Sequence, residues 1–431
     1  MKRTGPRPTE ALFLAALMLS QVACVGIVRH ETSLEDYLNS NRTAEALQAI
    51  ESRRRAPRDE TVFLLDKAML LRMQQQYEAS NDAFERAKDV IEELDAISPR
   101  EQVAAVTIND AMRSYLPPTF ERALIHCFKA MNYLQLRQYD NARVEILQLD
   151  EFLKQRDDFR LPFARYLSGL VFELNQEPDN ALIAYRKAYE AYRDGGRAVP
   201  SLLQQDLLRL TDYLGRADEH RQFDEEFALA HWSTQQSFRA RAHVVAILFN
   251  GLIPRKHSHE ILAQSAVDGQ MHRISTPFYE RRQTRVYSAM LSSDFAADDS
   301  ELFADLERHA RAALEDAMPG IIARTVARVA IKNRAVDEAG DEQPLLGLAL
   351  NVFAVLSEQA DTRGWYTLPQ EILVTRLELE PGRHDLELIL DGSLRPGASH
   401  DWQQIELEPG ETLVFGLHWP ESYSTLGRRY Q

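Results

Sequence analysis

One spacing constrains this chain more than any other: a small residue followed sixteen positions later by a large one, within apolar helical periodicity. It pairs Ala68 with Phe84, Ala130 with Ile146, and Gly169 with Tyr185. Around each pair the pattern extends. Ala68-x-x-Leu71 leads to Tyr77, Ser80 and Ala87; Ala130-x-x-Tyr133 leads to Tyr139, Ala142 and Leu149; Gly169-x-x-Phe172 leads to Pro178, Ala181 and Ala188. The small residue lets a first helix approach its partner, and the large one fills the joint between them. A helix pair of this kind cannot bury its apolar face alone, so successive pairs must stack. With 18 glycines in 431 residues, glycine is about 4% against a usual ~7%, which suits a helical chain.

In internal spacing these segments resemble the tetratricopeptide repeat, with a plain α-helical bundle as the alternative. They are offset by 62 and 39 residues, so the predicted array is irregular, with an extra helix around 102–114 in the first gap. Leu34 to Ile50 reads as an upstream half-repeat and Leu202 to Phe227 as a downstream capping pair. The helical repeat domain is expected over 32–230. Its concave wall is predicted from first-helix positions: Leu65, Met69, Arg72 and Met73, then Leu124, Cys127 and Met131, then Tyr166, Leu170 and Glu173. An apolar groove of that size is normally covered. With so few repeats, the chain itself is the favoured cover, and a partner helix or extended peptide is the alternative.

Beyond residue 235 the periodicity changes. Ala242 to Phe249 is a β-rich apolar run ending in Asn250-Gly251, a strand followed by a turn. Val286 to Leu291 is a weaker strand candidate. Helices are expected over 299–318, 320–334 and 345–359, the first capped by Asp298, Asp299 or Ser300. The last sixty residues alternate in steps of two around Leu379-Glu-Pro-Gly382 and Leu407-Glu-Pro-Gly410, which predicts two antiparallel hairpins. The expected fold is mainly α: a tetratricopeptide-like α-solenoid followed by one α+β domain over 235–431 with a small antiparallel sheet.

The first 24 residues belong to targeting rather than fold. Lys2, Arg3 and Arg7 precede a ten-residue apolar core, and Cys24 follows it. The core is too short to span a bilayer and reads as a secretory signal. Ending on Ala23-Cys24, it resembles a lipoprotein signal, with Cys24 as the lipidation site; an ordinary cleaved signal is the alternative. By the same resemblance, Val25 implies the outer membrane, with the chain on its periplasmic side. The remaining Cys127 reads as a buried small hydrophobe.

Three stretches carry a wider resemblance: Tyr115-x-x-x-x-Phe120-Glu121-Arg122, Val244 to Pro254, and Ala360-Asp-Thr-Arg-Gly-Trp-Tyr-Thr-Leu-Pro369. Together they resemble an uncharacterised family of bacterial envelope lipoproteins with tetratricopeptide repeats and an α+β C-terminal part. The resemblance implies architecture and location and no reaction. Within its last stretch, Asp361 can orient Arg363 with Trp365 nearby, as a locked structural corner or a ligand site.

Chemistry-bearing motifs are few. The chain lacks Gly-x-Gly-x-x-Gly, a phosphate-binding Gly-Lys-Ser/Thr, Gly-x-Ser-x-Gly and Cys-x-x-Cys, so no cofactor and no catalytic residue are expected. His257-Ser-His-Glu260 has metal-ligand chemistry but no identifiable third ligand, so no metal site is expected. Two cysteines exclude a disulfide scaffold, and a net charge of −15 leaves no broad positive field for nucleic acid. The reading favoured here is a lipid-anchored periplasmic adaptor, not an enzyme, that binds other envelope proteins through the repeat groove or the C-terminal domain. The alternative is an envelope hydrolase using a carboxylate pair in the C-terminal domain. Replacing Cys24→Ser is expected to move the protein from the membrane fraction to the soluble periplasmic fraction. Fractionation with an unchanged membrane share would remove the anchor.

Overall fold

A computed structural model describes residues 34–96, 113–156, 160–264, 271–342 and 360–424. Cys24 and the signal, most of the extra helix expected over 102–114, and all of 345–359 lie outside the described residues. The chain divides into two compact units, Met1–Arg54 and Arg55–Gln431. In the first, a helix at 34–39 precedes α1 (Thr43–Glu51), which buries Ala46 and Ile50.

In the second unit, eight helices form four consecutive pairs: α2 (Glu60–Met73) with α3 (Tyr77–Ala96), α4 (Thr119–Gln135) with α5 (Tyr139–Lys154), α6 (Pro162–Leu174) with α7 (Pro178–Asp194), and α8 (Ser201–Tyr213) with α9 (Ala217–Phe227). Each pair turns through the same device. A residue two positions before the second helix adopts a left-handed φ: Gln75 at 60°, Arg137 at 56°, Gln176 at 59° and Gly215 at 65°. The next N–H reaches back five residues to a carbonyl, as Gln76 to Leu71, Gln138 to Tyr133, Glu177 to Phe172 and Arg216 to Thr211. This is the Schellman closure, which satisfies carbonyls left over at the helix end. Three of the four use a non-glycine residue, at roughly 1–2 kcal/mol each. The small-to-large joints close as their spacing requires, with Ala68, Phe84, Ala130, Ile146 and Tyr185 fully buried.

After the short α10 (Gln235–Ala240), the chain enters β1 (Ala242–Asn250), every residue of which is buried. β1 is central to sheet 1. It pairs antiparallel with β8 (Glu371–Leu379) and parallel with β11 (Thr412–Trp419), while β7 (Glu301–Asp305) pairs with the far side of β8. Sheet 2 has the order β10 (Ser399–Leu407), β9 (Gly382–Asp391), β5 (Ser288–Ser293), β6 (Ala297–Asp299). The two sheets share one core, in which Val244, Ala246 and Leu248 meet Ala289, Leu291, Leu386 and Leu388. A ribbon of β2 (Lys256–Gln264) and β3 (Met271–Tyr279), a short pair of β4 (Arg282–Thr284) with β12 (Ser422–Ser424), and α11 (Leu306–Glu342) complete the described chain.

Three expectations are corrected. The two Leu-Glu-Pro-Gly segments are not hairpins: β8 and β11 lie in sheet 1 while β9 and β10 lie in sheet 2, so each Pro-Gly turns the chain from one sheet to the other. Alternation reports that one side of a strand is buried; it does not report which neighbour pairs with it. Asp299 ends β6 and residues 301–305 form β7 rather than a helix start, because Phe303 and Ala304 are needed as buried cover, and Asp305 caps α11 by accepting the Arg308 N–H at 3.0 Å. Finally, α11 runs through Pro319 without a break. Proline φ is already helical, so one lost hydrogen bond bends or strains the helix without ending it.

A β-carbon at Gly169 would overlap the Tyr185 ring, so this joint has no room for one. Gly169→Ala is expected to destabilise the second unit by about 1–3 kcal/mol through overpacking. A urea midpoint equal to the parent's would show that the joint is slack.

Candidate functional site

The predicted concave wall is present, and it is not open. Leu65, Met69, Leu124, Met131 and Tyr166 have essentially no exposed surface, Arg72 is buried, and Met73 and Glu173 are part-buried. Sheet 1 and the segment 360–370 lie against this wall. Phe128 on α4 meets Phe249 of β1 at 5.4 Å and Trp365 at 5.8 Å, and Tyr166 meets Phe303 of β7 at 4.5 Å. The groove is therefore filled by the chain's own sheet, the cover the sequence favoured, rather than by the partner helix or extended peptide that was its alternative. The reason lies in β1, which is apolar on both faces. Sheet 2 covers one, and among the described residues the repeats cover the other.

Among the polar contacts across this seam, three are built on a largely buried arginine. At the first, Arg376 of β8 donates to Asp206 of α8 at 2.5 Å. Arg209 donates to Asp206 at 2.8 Å and to both Glu173 oxygens at 2.7 and 2.8 Å. Burial alone would raise the Asp206 carboxyl, but Arg376 and Arg209 outweigh it and hold it below the usual carboxylate range. At the second point, Arg72 of α2 donates from Nε to Nε2 of His418 at 3.0 Å and from Nη1 to Asn132. Its guanidinium also lies over Phe249 and Phe128. Held by neutral groups, it is pushed down to about 10 by burial.

The third point is the corner that the sequence singled out. Arg363 donates to Asp361 at 2.8 and 2.7 Å, to Asp59 at 2.9 Å, and to the carbonyls of Arg58 and Arg113 at 3.1 and 2.7 Å. Those contacts use all the donor directions of a guanidinium. Trp365 sits between Phe84 and Phe128 rather than on Arg363. The corner is thus a lock between the loops flanking the first two repeats and β8. The other two resemblance stretches converge here: the Arg363 guanidinium lies 5.8 Å from the centre of the Tyr115 ring, and the Ile253 N–H bonds the Leu368 carbonyl at 2.9 Å.

Several residues that matter at the seam were not singled out from the sequence. Arg376 interrupts the apolar run 372–379, and Asp206 and Arg209 sit on one face of a leucine-rich helix. A charge inside an apolar run was the available signal. Lys256 likewise carries no motif, yet its ammonium donates to the Arg363 carbonyl at 2.8 Å, and burial lowers its affinity for the proton. Cys127 is buried and its thiol is pushed up by burial. His257 and His259 flank the Phe278 ring, and His257 reaches Glu280 at 3.3 Å. Among the described residues no group of three His, Cys, Asp or Glu is placed to hold a metal ion. In the C-terminal region Glu371 lies near Asp305 and Glu307. Asn250 donates to Glu371 at 3.0 Å, and Gln370 and Arg311 donate to Glu307.

No family model and no curated protein matches the chain. Among solved structures it is similar to MamA from Desulfovibrio magneticus RS-1, at 16% identity over 46% of this chain and 89% of that one, with a TM-score of 0.31. It is also similar to the apo form of RapI, at 12% identity over 43% and 48% of the two chains, with a TM-score of 0.34. A third is a Rap protein complexed with competence and sporulation factor, at 12% identity over 46% and 50%, with a TM-score of 0.31.

His243 of β1 supplies a pH test of the seam. Its Nε2 bonds the Phe238 carbonyl at 2.8 Å, and its ring stacks on Phe238 at 3.6 Å. Burial, with Arg376 and Arg209 nearby, pushes the imidazole down to about 3. The unfolded chain takes up this proton near pH 6.5 and the folded chain does not, so stability is lost as pH falls below 6.5. Between pH 6.5 and 5 this one group accounts for about 2 kcal/mol. His243→Gln is expected to flatten the decline in urea stability over that window by this amount. An unchanged slope would place the acid sensitivity elsewhere.

Proposed function

We propose that this chain is a lipid-anchored adaptor on the periplasmic side of the outer membrane, holding other envelope proteins in place through a rigid repeat body. Among the described residues no helix is long and apolar enough to cross a membrane, and the proposed attachment is acylated Cys24. The observation that carries the adaptor reading is an apolar strip on the outer helices. Val144 and Leu147 on α5 and Ile183 on α7 are each more than 40% exposed. Val144 and Ile183 occupy the same repeat position, two residues after Ala142 and Ala181. Single exposed apolar residues are ordinary, but repetition at equivalent positions on adjoining repeats makes a strip. Ion pairs flank it, Lys187 with Asp150 at 3.0 Å and Arg143 with Glu177, giving an apolar centre with a charged rim. Because sheet 1 fills the concave side, a partner must use the surface left outside.

A photo-crosslinking residue at position 147 of the anchored full-length protein is expected to yield one discrete envelope-protein adduct. Leu147→Glu with Ile183→Glu should reduce co-purification of that protein at least tenfold while leaving the melting temperature within a few degrees. Crosslinking that gives no discrete adduct at this strip would overturn it as the partner surface.

A further inference from the structure

The open edge of sheet 1 and an unmatched buried charge lie at the same place. β11 ends the sheet, with β1 as its one neighbour among the described residues. The His243 N–H donates to the Glu411 carbonyl and the Gly251 N–H to the Trp419 carbonyl, both at 2.8 Å. Odd-numbered residues of β11 therefore bond β1, and the N–H and C=O groups of Thr412, Val414, Gly416 and His418 point away from it. Gln135 occupies the Val414 carbonyl at 2.8 Å. That leaves the stretch from Gly416 to Trp419, each residue part-exposed, as the open edge. Beside it, Arg72 donates to the neutral groups of His418 and Asn132, and a β-carbon on Gly416 would lie 3.0 Å from its Nη2. We propose that this edge takes up an extended peptide strand of a partner protein, and that a carboxylate on that strand pairs with Arg72. The inference rests on the adaptor reading and adds the chemistry of the segment recognised.

Backbone, charge and side chains each narrow the occupant. A row of unpaired N–H and C=O groups is completed by another strand, and proteins ordinarily blunt such edges. The other edges of the two sheets are blunted. β10 bulges between Trp402 and Ile405, with Gln404 at a left-handed φ of 55°. β6 has three residues, two of them Asp, and β7 bulges and gives its Phe303 carbonyl to the Tyr192 hydroxyl at 2.7 Å. β11, by contrast, pairs with β1 in unbroken register and contains no Pro, Lys, Arg, Asp or Glu. Arg72 likewise differs from the other seam arginines. Arg376 and Arg363 meet carboxylates, whereas none among the described residues meets Arg72. A buried guanidinium without a counter-charge is costly, so an incoming carboxylate gains more here than at a solvated site. A second copy of β11 has no carboxylate to supply. Side chains alternate across a strand. Gly416 and His418 face the repeats with Arg72, while Phe415, Leu417 and Trp419 line the margin of the core between the sheets. The residue that reaches Arg72 therefore has neighbours on each side that face apolar surface. The recognised pattern is an acidic residue between two apolar ones.

The test uses a displayed library of random heptapeptides selected on the full-length protein. Enriched peptides are expected to share an Asp or Glu flanked on both sides by apolar residues. Replacing that acid with its amide should weaken binding at least tenfold, and against Arg72→Gln the acidic and amide peptides should bind equally. N-methylation of alternate peptide nitrogens should abolish binding while methylation of those between them is tolerated, because only every second N–H faces β11. These peptide measurements keep the proposal testable even if Arg72→Gln fails to fold. No enrichment, tolerance of the amide, or N-methyl sensitivity without a period of two would each overturn it. The free protein is expected to be monomeric by light scattering; a dimer broken by Leu417→Lys would give the edge to a second copy and overturn the partner strand. In cells, crosslinks to a partner from position 147 with none from position 417 would leave the adaptor standing and remove the edge site. Crosslinks from neither position would remove both.

Discussion

The second unit depends on a single strand being covered on two faces. β1 places Val244, Ala246 and Leu248 into the core between the sheets and Val245, Ile247 and Phe249 toward the helices. Nine buried residues in a row leave neither face for water, so neither the repeats nor the sheets could keep this arrangement alone. Burying apolar side chains is worth about 25 cal/mol per Å², and here one strand draws that gain from two sources at once. The helical and β portions consequently form one compact unit from Arg55 onward rather than two tethered bodies.

The polar contacts at the seam serve a different end. Replacing a buried ion pair with apolar residues is often neutral or stabilising, so the Arg376–Asp206–Arg209–Glu173 set adds little net stability. What it restricts is geometry. An apolar wall would accept a sheet shifted by two residues, but Arg376 lies opposite Val245 in the β1–β8 register and must meet Asp206. A slip along the strand would leave the Arg376 guanidinium buried without its carboxylate, while Asp206 and Glu173 stay paired with Arg209 alone. Arg363 and Arg72 act in the same way at other points of the seam, and together the three guanidiniums fix one docking position.

How much of this was legible in the residues follows from what each pattern measures. The sixteen-residue spacing was readable because it records a local steric fact: Gly169 must be small since Tyr185 lies on it. The Asp361–Arg363 pairing was readable for the same reason, being two residues apart. The wall Leu65, Met69, Leu124, Met131 and Tyr166 was recognisable as apolar, but periodicity cannot say what lies across it. The partners, Phe249, Phe303 and Val414, are more than a hundred residues distant. The helix turns were silent because three of four left-handed positions are Gln or Arg, with no glycine to mark them. The sheet crossings at Gly382 and Gly410 passed for hairpins because Pro-Gly between alternating strands looks the same in both cases.

The sequence distance across the seam also bears on how the chain is made. Arg72 and Met131 are covered by Gly416 and His418, near the end of the described chain. At about 5–20 residues per second, the interval between synthesising residue 131 and residue 418 is on the order of 15–60 s. Through that interval the repeats can form while their apolar wall stands bare, because the strand that covers it does not yet exist. Contacts this remote are also slow to form once the whole chain is present, since loop closure precedes any gain. The finished body is closed and compact, but its newly made precursor is a sticky half-molecule, and whatever keeps it from aggregating must act before β11 arrives.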